Sequence, residues 1–221
     1  MSREKYAVIT GDIVKSSMIE SDYARILESI ASDIINYQDE EFKFDIFRGD
    51  SFQGFVKKPS DALKISVLIR SGLRRQSITK SIDSIWDARI AIGIGTIKND
   101  ADIEKMNLKK ADGEAFVRSG RALDSMKKEE VQIKISTGNT ELDNEFDSVC
   151  PLLDVIIRNW TTSQAEAVYM QLLEGITQEE IGSRLGISQR ASGKRLELSN
   201  VDKMKKYLNR YKELVEWRLL K

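Results

Sequence analysis

Histidine is absent from this sequence. Its absence removes imidazole general bases, Ser-His nucleophile pairs and imidazole metal ligands together. The single cysteine, Cys150, excludes an internal disulfide and any zinc site built from several thiolates. A bound metal is therefore expected to be a hard cation held by oxygens, Mg2+ or Mn2+. No apolar run is long enough to span a bilayer, and the short apolar run after the charged first residues MSREKY is too brief for a signal peptide. The expectation is a soluble cytoplasmic protein with no membrane partner. Internal repeats and low-complexity tracts are also lacking, and proline occurs only at positions 59 and 151.

Net charge is missing too, with 35 basic against 35 acidic residues, but the balance is uneven along the chain. Residues 156–221 carry 12 Lys and Arg against 8 Asp and Glu, leaving the remainder acidic by the same margin. An apolar content of 41% is enough to fill a core in each half. Pro151 marks the expected boundary between a first domain, residues 1–150, and a second, residues 151–221.

In the first domain, Tyr6 to Thr10 reads as a buried central strand closed by Gly11, Asp12 and Ile13. Tyr23, Ile26, Leu27, Ile30 and Ile34 then recur at helical spacing behind the capping residues Ser21 and Asp22. Phe42, Phe44 and Ile46 alternate with polar residues, and after Arg48, Gly49 and Asp50 a second alternating run holds Phe52 and Val56, which reads as a β-hairpin. Pro59 ends that strand, Ser60 or Asp61 caps a helix, and ARIAIGIGTI is a strand whose Gly93 and Gly95 leave room for a close approach. A polar loop, a helix from about Gly113 to Met126 and a strand from Val131 to Ser136 complete it. The fold class implied is α+β: a ferredoxin-like βαββαβ arrangement with an added αβ, an antiparallel sheet carrying helices on one face.

In the second domain the pattern is entirely helical. Ser163 and Glu166 form a capping box for a helix ended by Gly175. The following stretch, TQEEIGSRLGISQRASGKRL, reads as a helix-turn-helix. Ile181 and Leu185 share one helical face, Gly186 makes the turn, and Ser188 caps a second helix that offers Gln189, Arg190, Lys194 and Arg195 outward. An αα-hairpin gripping a protein partner fits the same apolar spacing. Ser192 and Gly193 stand out, because a buried apolar residue is usual there and a helix-interior Gly costs roughly 1 kcal/mol relative to Ala.

In a βαββαβ sheet the first and third strands are antiparallel neighbours, so Asp12 would lie beside Asp50. Two carboxylates and the Ile13 carbonyl would then suit a divalent cation carrying a nucleotide, a chemistry that needs no histidine. Gly11-Asp12 and Gly49-Asp50 are equally the residues that plain turns require. Arg48, Arg89 and Arg121 could hold phosphates or be solvated charges.

YAVITGDIVKS, FRGDSFQ, ARIAIGIG, GEAFVRSGRALD, WTTSQAEAVYMQLLEG and the helix-turn-helix stretch together resemble the SatD family over nearly the whole chain. The amino-terminal half is in turn similar to class III nucleotidyl cyclases, whose Asp-Ile pair and hairpin Gly-Asp supply the metal ligands. That resemblance implies metal ligation by Asp12, Ile13 and Asp50 and a nucleotide contact from Arg121, with Val117 where the cyclase pattern has Asn. It also implies a homodimer. Two functions follow as expectations: a DNA-binding transcriptional regulator with a nucleotide-sensing dimerisation domain, or a divalent-metal-dependent nucleotidyl cyclase or related phosphoryl-transfer enzyme. No catalytic residue is assigned for either.

Overall fold

Strand β1 (Tyr6–Ile13) lies at the centre of a five-stranded sheet, and its alternation decides what packs where. Ala7, Ile9 and Ile13 enter the main hydrophobic core, while Val8, Thr10 and Asp12 occupy the opposite face. The computed structural model describes residues 4–14, 23–38, 42–47, 50–77, 86–98, 108–129 and 131–220. After β1 come α1 (Tyr23–Gln38), β2 (Phe42–Phe47), β3 (Ser51–Val56), α2 (Ala62–Arg75), β4 (Ala88–Gly95), α3 (Glu114–Glu129) and β5 (Ile133–Ser136). Five further helices follow: α4 (Thr140–Arg158), α5 (Thr162–Glu174), α6 (Gln178–Leu185), α7 (Gln189–Ser199) and α8 (Val201–Arg218). Ser21 and Asp22, the expected caps of α1, lie outside the described residues.

The strand order is β2-β3-β1-β4-β5. Strand β1 is antiparallel to both β3 and β4, and β2 is antiparallel to β3. Two expectations about this sheet are corrected. Strand β5 runs parallel to β4, because α3 carries the chain back along the sheet between them. Helices cover both faces rather than one. Helices α1 and α2 share the core with Ile9 and Ile92, while α3 packs on the other side of β1 and β4. The contact of α3 is close: a Cβ on Gly93 would lie 2.2 Å from the Ala115 carbonyl oxygen. What approaches Gly93 is therefore helix backbone.

The boundary expected at Pro151 falls inside α4, which Asn139 caps by accepting the Leu142 N–H at 3.1 Å. One hydrophobic core runs without a break from the sheet through α2 into α4, α5 and α8. Phe146 and Tyr211 pack their rings 5.4 Å apart, tilted at 49°, between α4 and α8, and the Tyr211 hydroxyl donates to the Pro59 carbonyl at 2.9 Å. The capping box of α5 is also relocated. Thr161 and Gln164 form it, not Ser163 and Glu166, since Ala165, Ala167 and Val168 are buried from the first turn onward and set the helix start two residues earlier. No helix among the described residues is long and apolar enough to cross a membrane.

Helix α2 is buried on nearly every side, between the sheet, α1 and α5. Its Arg70 is fully buried, so its charge must be met inside the protein. Arg70 makes a two-pronged contact with Asp87, Nε to Oδ1 at 2.7 Å and Nη2 to Oδ2 at 2.9 Å. It also donates to Asp154 of α4 and, at 2.8 Å, to the Gln132 side chain. Asp154 in turn accepts the Gln132 N–H at 2.6 Å just before β5. Arg74 reaches Asp87 at 3.1 Å and the carbonyls of Arg158 and Trp160 at 2.8 Å each. Burial alone would raise the Asp87 carboxyl, but the charge and hydrogen bonds of Arg70, helped by Arg74, outweigh it and hold the group below its ordinary 3.8.

Removing one member of such a buried group strands the others without counter-charge, at a cost of about 3–5 kcal/mol. Arg70→Met is expected to lose that much in urea unfolding, and a loss under about 1 kcal/mol would show that the carboxylates find other partners. The folded Asp87 value lies below the unfolded one, so its contribution is present above about pH 4 and disappears as the pH falls through the folded value.

Candidate functional site

The β1–β3 register brings the two sequence-predicted aspartates to the same end of the sheet. Asp12 lies opposite Ser51, and the Ile13 N–H donates to the Asp50 carbonyl at 3.0 Å. The Asp12 carboxylate does not stand alone. On the other side of β1 it faces Arg89 of β4, whose Nε and Nη2 donate to its two oxygens at 3.0 and 3.1 Å. Asp50 Oδ1 lies 3.4 Å from the Ser51 hydroxyl. The Ile13 side chain is buried in the core, leaving only its backbone available to a ligand.

A polar row continues along the same face as Asp12. The Thr10 hydroxyl meets the Ser119 hydroxyl of α3 at 2.8 Å and accepts from the Gln53 amide at 3.3 Å. Two carboxylates and a carbonyl are the hard oxygen donors that Mg2+ and Mn2+ take, so the donor set suits such an ion in kind. Among the described residues no group of three or more acidic, histidine or cysteine side chains converges as a metal cage. Arg48 lies outside the described residues, and Arg121 is exposed on α3. Sequence reading left Arg89 among several charges of equal standing. Its pairing with Asp12 needs the β1–β4 register, which alternation along one strand does not supply.

The second candidate site is built by α6 and α7. Thr177 and Glu180 cap α6 reciprocally, the Thr177 N–H donating to Glu180 at 2.8 Å. Gly186 ends α6 with φ 64°, the left-handed conformation that glycine adopts without strain. Ser188 then caps α7 by accepting the Ala191 N–H at 3.2 Å. Gln189, Arg190 and Lys194 are exposed on α7. Arg195 is drawn to the side, 3.8 Å from Glu166 of α5, and Lys194 lies 2.9 Å from Glu197 one turn on.

Ser192, the polar residue at a position that packing would give to an aliphatic side chain, is fully buried. Its hydroxyl donates to the Gln178 carbonyl at the start of α6 and sits 2.9 Å from the Gln189 carbonyl. The two helices are thus joined by a hydrogen bond where an apolar contact is usual. Gly193 lies under the Gln178 side chain, whose Oε1 would be 2.4 Å from an added Cβ.

A five-stranded sheet covered on both faces and continued by a run of helices defines a mixed α+β protein. The chain belongs to the SatD family, whose model matches residues 6–216. No curated protein matches it. Among solved structures it is similar to the active GGEEF domain of a diguanylate cyclase from Vibrio cholerae, at 12% identity over 61% of this chain and 83% of that one, with a TM-score of 0.39. It is also similar to two structures of bacterial light-regulated adenylyl cyclases, both at 16% identity over 59% of this chain. These cover 42% and 74% of the cyclase chains, with TM-scores of 0.41 and 0.39.

The atom that obstructs a Cβ at Gly193 is the far end of a flexible glutamine, which can turn away. Gly193→Ala is therefore expected to raise the melting temperature, with a gain of up to about 1 kcal/mol from helix propensity. An unchanged or lower value would mean that the Gln178 side chain has a fixed role over α7.

Proposed function

We propose that the sheet domain binds a nucleoside triphosphate with Mg2+ or Mn2+ at the β1–β3 end and belongs to the phosphoryl-transfer class. The supporting observation is the register that places Asp12 opposite Ser51 and ties Ile13 to Asp50. On this reading the Asp12 and Asp50 carboxylates, with the Ile13 carbonyl, hold the cation. A bound divalent ion supplies phosphoryl polarisation and a more acidic hydroxyl nucleophile. Arg89 is the counter-charge of Asp12 until then. Released from the carboxylate, its guanidinium sits one strand away and can take phosphate oxygens, which its planar fork fits. Val117, 43% exposed on α3, offers no hydrogen bond to a ribose, so the reading is nucleotide binding or phosphoryl transfer without efficient cyclisation.

Pyrophosphate release from each nucleoside triphosphate with Mn2+ tests this, alongside calorimetry with a non-hydrolysable analogue. Asp12→Ala and Asp50→Ala are each expected to reduce nucleotide affinity or turnover by at least tenfold. The reading is abandoned if no triphosphate binds or reacts, or if both variants behave as the parent.

A second reading, that the protein is a DNA-binding transcriptional regulator, rests on a different observation. The start of α7 is capped by Ser188 and leaves Gln189, Arg190 and Lys194 facing solvent. In a homodimer two such helices could enter successive major grooves, about 34 Å apart. A nucleotide that favoured one dimer arrangement would then alter operator affinity. Mobility shifts on the promoter DNA of its own gene at low salt are expected to weaken roughly tenfold for Arg190→Ala and Lys194→Ala, in line with about 1–3 kcal/mol per base-edge contact. Absence of any shift, with and without nucleotide and Mn2+, removes this reading.

A further inference from the structure

At the far end of the sheet from Asp12, a cleft of about 390 Å³ opens where β1 begins, β4 ends and α8 terminates. Its walls carry three cationic side chains from distant parts of the chain, Lys5, Arg118 and Arg218, against one carboxylate, Glu114. We infer that this cleft binds a small phosphate-bearing molecule, at a site separate from the one proposed for the metal and nucleotide.

Arg118 is the fixed point. Its Nη1 donates to the Ile94 carbonyl at the end of β4, and its guanidinium lies against the backbone of Gly138. A Cβ on Gly138 would come within 2.5 Å of Arg118 Nη2, and one on Gly95 within 2.6 Å of Nη1. The two glycines thus make room for this side chain. Glu114 is the sole acid of the lining and stands 3.5 Å from Arg118 Nη1. It accepts the Thr96 N–H at 3.3 Å, and that bond, with the charges of Arg118 and Lys5, keeps it ionised below its ordinary value. One carboxylate against three cations leaves a local surplus of positive charge.

Arg218 is the adjustable member. Its nearest acid, Glu141, is 3.8 Å away, with both side chains largely in solvent at 58% and 83% exposure, so the pair constrains it little. Two polar side chains of the turn between β5 and α4 make hydrogen bonds within the chain. The Thr137 hydroxyl donates to Asp143 at 2.7 Å, and the Asn139 side chain accepts the Leu142 N–H. The three cations are the charged donors that the cleft offers a ligand, and a dianion with tetrahedral oxygens suits one held guanidinium, one mobile guanidinium and an ammonium. A neighbouring cleft of about 540 Å³ shares Lys5 and Arg218 and adds Lys57 and Lys58 against the carboxylates of Glu4 and Glu216, so cations outnumber acids there as well.

The test is thermal unfolding of the full chain in inorganic phosphate, in ribose 5-phosphate and in sodium chloride at matched ionic strength. Saturating phosphate is expected to raise the melting temperature by roughly 3 °C or more over chloride. Arg118→Gln and Arg218→Gln should each abolish the difference, while Arg89→Gln, which removes the phosphate-holding group proposed at the β1–β3 end, should retain it, separating this cleft from that end. A larger shift per mole with ribose 5-phosphate identifies a phosphorylated metabolite as the ligand; equal shifts identify the free anion. Should Arg118→Gln fail to fold, Arg218→Gln at the exposed end of α8 decides alone. Equal stabilisation by chloride and phosphate, or a shift that survives Arg218→Gln, overturns the inference.

Discussion

The structure depends on a charge that has no access to water. Arg70 is sealed within α2, and an unpaired guanidinium there would cost several kcal/mol. Everything that meets it is thereby fixed in place. Asp87 is held by Arg70 and Arg74, and its backbone carbonyl accepts the Val14 N–H at 2.9 Å. Residues 88 and 89 follow directly, so the anchor of Asp87 also sets where Arg89 meets Asp12. In the other direction, Arg74 holds the Trp160 carbonyl, and the Trp160 indole donates to the Ser199 carbonyl at the end of α7 at 2.8 Å. One buried network therefore braces both candidate sites.

That network was hidden in the sequence for a physical reason. An amphipathic reading of α2 assigns one apolar face to burial and leaves the charges outside. The helix is instead covered all round, and its arginines are internal because carboxylates from Asp87 and Asp154 reach them. Nothing near Arg70 in the sequence announces partners 17 and 84 residues away. The double covering of the sheet was more legible than the one-face reading allowed. ARIAIGIG is apolar or small at every position but one, the signature of a strand buried on both faces. The apolar run of β1, the spacing within α1 and the hairpin-forming runs Phe42–Phe47 and Ser51–Val56 place those elements within a few residues.

The sites were legible to different depths. Turn and cap chemistry is local, so Gly186 and Ser188 could be read directly from residue type and position. The Thr161 capping box was misplaced because TTSQAE contains two overlapping matches to the same pattern, and only burial of the following residues chooses between them. Ser192 looked like a packing fault in isolation. Its function is to supply a donor for the Gln178 carbonyl across the turn, a non-local contact that no periodicity encodes. Proximity of Asp12 to the Asp50 backbone follows from topology, whereas the guanidinium over Asp12 follows from register.

The Asp12–Arg89 pair has a further consequence for the proposed metal–nucleotide reading. Both side chains are partly exposed, at 13% and 28%, so the pair is screened and its disruption is inexpensive compared with the Arg70 network. A divalent cation alone could displace Arg89 only by leaving two like charges side by side on neighbouring strands, which opposes binding. Phosphates arriving with the cation remove that conflict, because they neutralise the ion and give Arg89 new acceptors. On that reading metal and nucleotide bind cooperatively, each raising the affinity for the other by the same factor. The pair at β1 and β4 then selects for the complex over either component, with no histidine and no third carboxylate required.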